Sequence, residues 1–299
     1  MKYIITGSAG NISRPLTLAL LKAGHRVTVI SRSAANIKGL TDVGAKAAIG
    51  NVDDVSFLTQ AFAGADAVYT MIPPRYNITA NWKETIGQVG KNYAAAIKTN
   101  HIKYVVNLSS VGAHLPDGCG PVSGLFKVES ALNELAGVNI KHLRPVFFYS
   151  NFLASMNTVK TMNIIGNNFG GHGFKFAIVD TNDIAEAAFE ELNNLNFTGH
   201  TVRYIASDEV TTDELAKTLG TAIGKPELQW VTFSNEQALS GMIQAGFTEE
   251  VAKNFVEMGQ AIASGKMYED YWANRPLTLG KTKLADFAKM YAFVYKQNQ

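Results

Sequence analysis

The residues with the most specific chemistry to offer stand in one short run, Thr6-Gly7-Ser8-Ala9-Gly10-Asn11-Ile12-Ser13. Gly7 permits a sharp turn, Gly10 permits close approach of the backbone to an anion, and the free N–H groups of a helix start just beyond would face that anion. This suits the grip of a dinucleotide pyrophosphate. The spacing is Gly-x-x-Gly-x-x-Ser rather than Gly-x-Gly-x-x-Gly, so Ser13 stands where a third glycine would let helix and strand pack closely. Serine is small, and the packing survives with a slightly wider gap. An ordinary βα turn that holds two glycines is the plain alternative. The run follows the strand-like Tyr3-Ile4-Ile5 and precedes the helical stripe Leu16, Leu20, Ala23, which favours the dinucleotide reading.

Further candidates lie at later strand ends. After the run Arg26 to Ile30 comes Ser31-Arg32-Ser33, with no acid. A carboxylate there would take the adenosine ribose hydroxyls of NAD, whereas the Arg32 guanidinium suits a 2′-phosphate, so NADP(H) is the expected cofactor. Asn51 and Val52 lie where an adenine ring would rest, and Asn51 reads equally as an adenine acceptor and as a turn asparagine. A proton donor is harder to find. Hydride transfer to a ketone wants a positioned acid such as a tyrosine four residues before a lysine, and none of the eleven tyrosines has one. Ser123-x-x-x-Lys127 occupies that interval, but serine is too weak an acid to replace the phenol. Lys127 itself reads about equally as a solvent-facing lysine and as a site residue.

These residues need elements to position them. Short apolar runs at 3–5, 26–30, 47–49, 67–72, 104–108 and 140–143 alternate with helical stretches, including 82–98 and 124–135, and this rhythm means a parallel sheet covered on both faces. Ligands in such sheets sit at the carboxyl ends of the strands. In the second half, 167–173 reads as a loop, 174–179 as extended, and helices follow from Asp180 and Thr211, with the last amphipathic segment at 283–295. Arg75, Tyr76 and Asn77, after the double proline, are placed to form a mobile lid, and the smaller C-terminal part is expected to close over the strand ends. The length of 299 residues, 46% hydrophobic and 17% charged residues fit a soluble globular chain. A net charge of +2 leaves no footprint for nucleic acid. No apolar run is long enough for a membrane, and the N-terminus does not read as a signal peptide. The single cysteine, Cys119, fits a reducing cytoplasm, and the six histidines show no ligand spacing, so no metal is expected.

Taken together, the chain resembles the NmrA-like atypical short-chain dehydrogenases. The resemblance rests on Gly7-x-x-Gly10, Arg32, Asn51-Val52-Asp53-Asp54, Ile72-Pro73-Pro74, Lys127-x-Glu129, Leu143-Arg144-Pro145-x-x-Phe148-x-x-Asn151 and Val179-Asp180-x-x-Asp183-Ile184-Ala185. It departs at Ser13, in place of the third glycine, and at Asn51, where an aspartate is common. It implies an α/β fold: a doubly wound parallel Rossmann sheet over residues 1–150, to which 174–206 returns, and a smaller C-terminal α/β substrate domain from 151–173 and 207–299. It also implies that Gly7, Ala9, Gly10, Asn11 and Ile12, with Ser8 among them, hold the pyrophosphate. Met71, Ile72 and Pro73 would line the ribose side, Lys127 would reach the nicotinamide ribose as the catalytic residue, and Phe148 would bound the nicotinamide pocket. Some relatives of this type resemble quinone or azo-dye reductases, and others bind the dinucleotide as redox sensors. The missing tyrosine points to the quinone class. A reduced quinone oxygen is phenolate-like and takes its proton from water, so hydride transfer needs mainly proximity and a flat apolar slot. Aromatics at 76, 82, 147, 148, 149 and 152 are available to build that slot, and a small-molecule substrate is the expected partner.

Overall fold

The computed structural model describes residues 1–297. Its strands are β1 (Lys2–Ile5), β2 (Arg26–Ser31), β3 (Lys46–Ile49), β4 (Ala67–Thr70), β5 (Tyr104–Leu108), β6 (Asn139–Pro145), β7 (Phe147–Phe148), β8 (Ile164–Asn167), β9 (Lys175–Val179), β10 (His200–Ile205), β11 (Asp208–Thr211) and β12 (Gln229–Thr232). The helices are α1 (Ser13–Lys22), α2 (Lys38–Thr41), α3 (Val55–Phe62), α4 (Trp82–Thr99), α5 (Pro121–Asn133), α6 (Met156–Met162), α7 (Thr181–Asn194), α8 (Thr212–Ala222), α9 (Asn235–Gln244), α10 (Glu249–Ala263), α11 (Glu269–Ala273) and α12 (Leu284–Gln297).

Seven strands form one parallel sheet in the order β10-β6-β5-β4-β1-β2-β3. Side chains alternate across it as the two-residue period demands. Tyr3, Ile5, Val27, Val29, Ala67, Tyr69 and Val106 enter one apolar cluster, while Ile4, Ile30, Val68, Val105 and Ile140 enter the other. With both faces covered, the strands read as continuous apolar runs, which is why they were visible in the sequence. The order reverses between β1 and β4, and the crevice outside their carboxyl ends is where such sheets take ligands. Helices α4 and α5 approach closely because glycines face the partner helix: a Cβ on Gly90 would lie 2.7 Å from the Val128 Cα, and one on Gly124 would lie 2.8 Å from Ile86.

Several boundaries differ from the sequence expectation. β4 ends at Thr70 rather than residue 72, because the Met71 N–H donates to the Thr6 hydroxyl (2.9 Å) and its carbonyl accepts from Tyr93 (2.8 Å), which draws the chain off the sheet. α5 begins at Pro121, three residues earlier than expected, with proline in the first turn where its missing N–H costs nothing. The stretch read as a loop from 167 starts inside β8, which pairs in parallel with β12. β11, rich in polar residues, gave no apolar signal and pairs antiparallel with β9. Of the segment 174–206, α7 packs on α1 and β10 joins the main sheet, but β9 belongs instead to a three-stranded sheet with β7 and β11.

Candidate functional site

The turn after β1 is built by few contacts. Gly7 has φ +92°, and a Cβ there would meet the Ser13 Oγ at 2.4 Å and Met71 at 3.0 Å. The Ser13 hydroxyl donates to the Thr6 carbonyl at 2.8 Å, so the residue in place of a third glycine ties the helix to the strand instead of merely tolerating a gap. Ser8, also in the left-handed region at φ +56°, shares a hydrogen bond with Ser31 at the end of β2 (2.9 Å). Gly10 and Asn11 are exposed, Ala9 is half-buried and Ile12 is buried. α1 then opens with no side chain capping its start and no acid in its first turn, which leaves backbone donors and the positive end of the helix dipole for an anion.

Alongside lies a cleft of about 640 Å³ lined by Arg32, Asn51, Asp53, Arg75, Tyr76 and Gly246, among others. Arg32 is exposed and makes no hydrogen bond or ion pair among the described residues. The Asn51 amide oxygen accepts from the Asp53 N–H (3.2 Å), the turn role of the two read for it. Val52 is buried in the apolar cluster beneath, and the carbonyls of Val52 and Asp53 are held by the Asn92 amide of α4 at 3.2 and 3.1 Å. Asn92 escaped the sequence reading, yet it left a signal: a polar residue on the buried stripe Val89, Tyr93, Ala96. Arg75 donates to Asp53 at 2.7 Å. The segment that follows is in contact with the C-terminal part. Tyr76 packs on Trp82, Phe247 and Phe255, the Thr248 hydroxyl donates to the Ile78 carbonyl, and the Trp82 N–H donates to Glu250 (2.8 Å). Gly246 and Phe247 come from far along the chain, and nothing in the local sequence points to them.

Met71, Ile72 and Pro73 are half-buried beside the turn, with Met71 against Gly7. Phe148 is half-buried at the end of β7 and packs on the main core. A second, smaller cleft of about 190 Å³ is lined by Phe147, Asn151, Phe152, Ser155, Asn167 and Phe233, among others. Of the other candidate aromatics, Tyr149 is core, stacked on Phe287 at 4.9 Å, and Trp82 is buried.

Lys127 stands on α5 with its ammonium on Glu84 of α4, 2.8 Å away, and its stem beside Gly87. This ion pair between helices lies near solvent, with the two side chains 37% and 55% exposed. Ser123 is fully buried and accepts the Cys119 N–H at 3.1 Å. Burial pushes the Cys119 thiol up to about 12, so it is inert as a nucleophile. The neighbouring motif residues have a structural task. Arg144 grips Glu129 with two bonds, at 3.0 and 2.6 Å, and also reaches Asp270 (3.0 Å), joining β6, α5 and α11 in one buried network. Ser109 donates into the same carboxylate. His142 of β6 accepts from Asn107 of β5 and donates to Asn133 at the end of α5; burial lowers its pKa to about 4 and keeps the ring neutral. Among the described residues no group of three or more His, Cys, Asp or Glu could hold a metal ion, and no helix is long and apolar enough to cross a membrane.

A doubly wound parallel sheet with a glycine turn and an uncapped helix at its first strand defines a Rossmann-type α/β protein. The chain belongs to the NmrA-like family, which it matches over residues 2–297. No protein of curated function matches it in sequence. Its fold is that of the NADPH-dependent quinone oxidoreductase QOR2 from Escherichia coli, solved with NADPH (TM-score 0.80, 20% identity, 96% of this chain and 99% of that one). Similar too is the triphenylmethane reductase of Citrobacter sp., solved with NADP(H) (TM-score 0.79, 21% identity, 97% and 99%). NmrA, a negative transcriptional regulator solved with NAD, aligns as fully (TM-score 0.76, 13% identity, 99% and 97%).

Proposed function

We propose that this protein binds NADP(H) and reduces a small quinone-like acceptor. The observation that carries the cofactor reading is the pairing of a sterically closed glycine turn and uncapped helix start with an unpaired Arg32 at the next strand end. The turn residues 7–12 would hold the pyrophosphate, Arg32 the 2′-phosphate, and Met71, Ile72 and Pro73 the ribose side. When bound, the dinucleotide would supply a hydride. The chain's own residues supply binding and orientation but no tyrosine four residues before Lys127, where the buried and engaged Ser123 stands instead. An acceptor whose reduced oxygen is weakly basic fits that inventory, and the cleft lined by Phe147 and Phe152 would take its flat ring. Residues 151–173 and 207–299 would form the substrate part, in a protein of the cytoplasm. Two structural neighbours, the quinone oxidoreductase and the triphenylmethane reductase, agree with this reading.

A second reading, a dinucleotide-binding sensor without turnover, is supported by the likeness to NmrA, a negative transcriptional regulator solved with NAD, and by the Lys127 ammonium resting on Glu84. NADPH oxidation by the pure protein, assayed against a panel of quinones and azo dyes, separates the two. Tight NADPH binding with no oxidation by any acceptor would leave the sensor reading standing.

A further inference from the structure

Arg75 offers more than a lid residue would. It follows Pro73-Pro74, whose rings restrict the backbone, and the chain beyond it is fastened to α10 through Tyr76, Ile78 and Trp82. Its backbone is thus held on both sides while its side chain faces the same cleft as Arg32. Only Nη2 is engaged, on one oxygen of Asp53 (2.7 Å), and the side chains are 23% and 44% exposed. Such a single-point pair near solvent is weak, whereas a guanidinium on a phosphate forms paired charge-assisted bonds. Two arginines lining one cleft, one unpaired and the other loosely held, match a dianionic phosphate ester better than a neutral ribose.

We propose that Arg75 is a second phosphate-gripping residue, which releases Asp53 to take the 2′-phosphate of the dinucleotide together with Arg32 and so helps set the preference for NADPH over NADH. Asp53 is then the competitor that the phosphate displaces. The proposal rests on the dinucleotide reading above.

The test is titration of the full-length protein with NADPH and with NADH by fluorescence. Arg75→Gln should weaken NADPH at least about 10-fold and leave NADH nearly unchanged. Asp53→Asn should act in the opposite direction, tightening NADPH by roughly 3-fold or more without tightening NADH, because it frees the guanidinium. In the double variant the gain from Asp53→Asn should vanish. A purely structural Arg75–Asp53 pair predicts something else: both substitutions weaken both dinucleotides and lower the melting temperature together, and that result overturns the proposal. If the wild type prefers NADPH and Arg75→Gln keeps the whole preference, the proposal fails while the cofactor reading survives. If the wild type binds neither dinucleotide, both fail.

Discussion

The turn after β1 makes a sharp prediction, because its two glycines are needed for different reasons. Gly7→Ala would place a methyl 2.4 Å from the Ser13 hydroxyl and 3.0 Å from Met71, at a backbone angle of φ +92°. The left-handed backbone costs a residue with a Cβ about 1–2 kcal/mol. Displacing Ser13 also breaks its bond to the buried Thr6 carbonyl and leaves that acceptor unpaired, about 1–3 kcal/mol more. The sum is about 2–5 kcal/mol, read in a chain of this size as a fall of roughly 3–8 °C in melting temperature. Gly10→Val is different. Gly10 is exposed, has no positive φ, and a Cβ there meets only the Gly7 carbonyl, at 3.1 Å. We expect a melting temperature near wild type but no dinucleotide binding, since the branched side chain stands where the pyrophosphate would approach. Differential scanning fluorimetry and NADPH titration on both variants provide the measurement. A Gly7→Ala protein as stable as wild type would refute the steric argument, and normal NADPH binding by folded Gly10→Val would place the site elsewhere.

Arg32→Ala should reduce the preference for NADPH over NADH by about 1.5–3 kcal/mol; equal wild-type affinities would sink the 2′-phosphate assignment. Lys127→Met tests whether the ammonium leaves Glu84 during turnover: a reductase that uses it should lose about 10²-fold in quinone reduction with little change in NADPH affinity, and unchanged rates would leave the residue a helix-pairing lysine. His142 makes a pH prediction. The unfolded chain binds a proton below about pH 6.5, but the buried ring binds one only below about 4, so stability falls as pH drops through that window. The full effect is about 3 kcal/mol, and urea melts of wild type and His142→Gln between pH 7 and 4 should show a flatter pH slope in the variant; parallel slopes would count against a neutral buried ring.

The sequence made the main sheet legible because its strands are apolar on both faces and read as short apolar runs. Arg32 and the glycine turn were legible for the same reason: each sits directly after a strand, and position relative to a strand is local information. What was missed is non-local. Arg75 becomes interesting only once it shares a cleft with Arg32, and Lys127 loses its assumed freedom only because Glu84, on another helix, is beside it. Strand β8 went unread, and its last residue, Asn167, reads as part of a loop, since its partner β12 lies more than sixty residues away. Glu129 and Arg144 stood in recognisable motifs, yet their mutual bidentate pairing depends on the packing of α5 against β6.

The fastening of residues 76–82 onto 247–255 also bears on how the molecule is made. A chain emerging N-terminus first can complete the glycine turn as soon as β1, α1 and β4 are assembled. The cleft beside it lacks one wall until Gly246 and α10 arrive, about 170 residues after Tyr76. Closure over so long a stretch of chain is slow and entropically costly. A nascent or truncated protein ending near residue 150 would therefore present Trp82 and Tyr76 without the Phe247 and Phe255 rings that cover them, an apolar patch exposed at the rim of the cleft proposed to hold the dinucleotide.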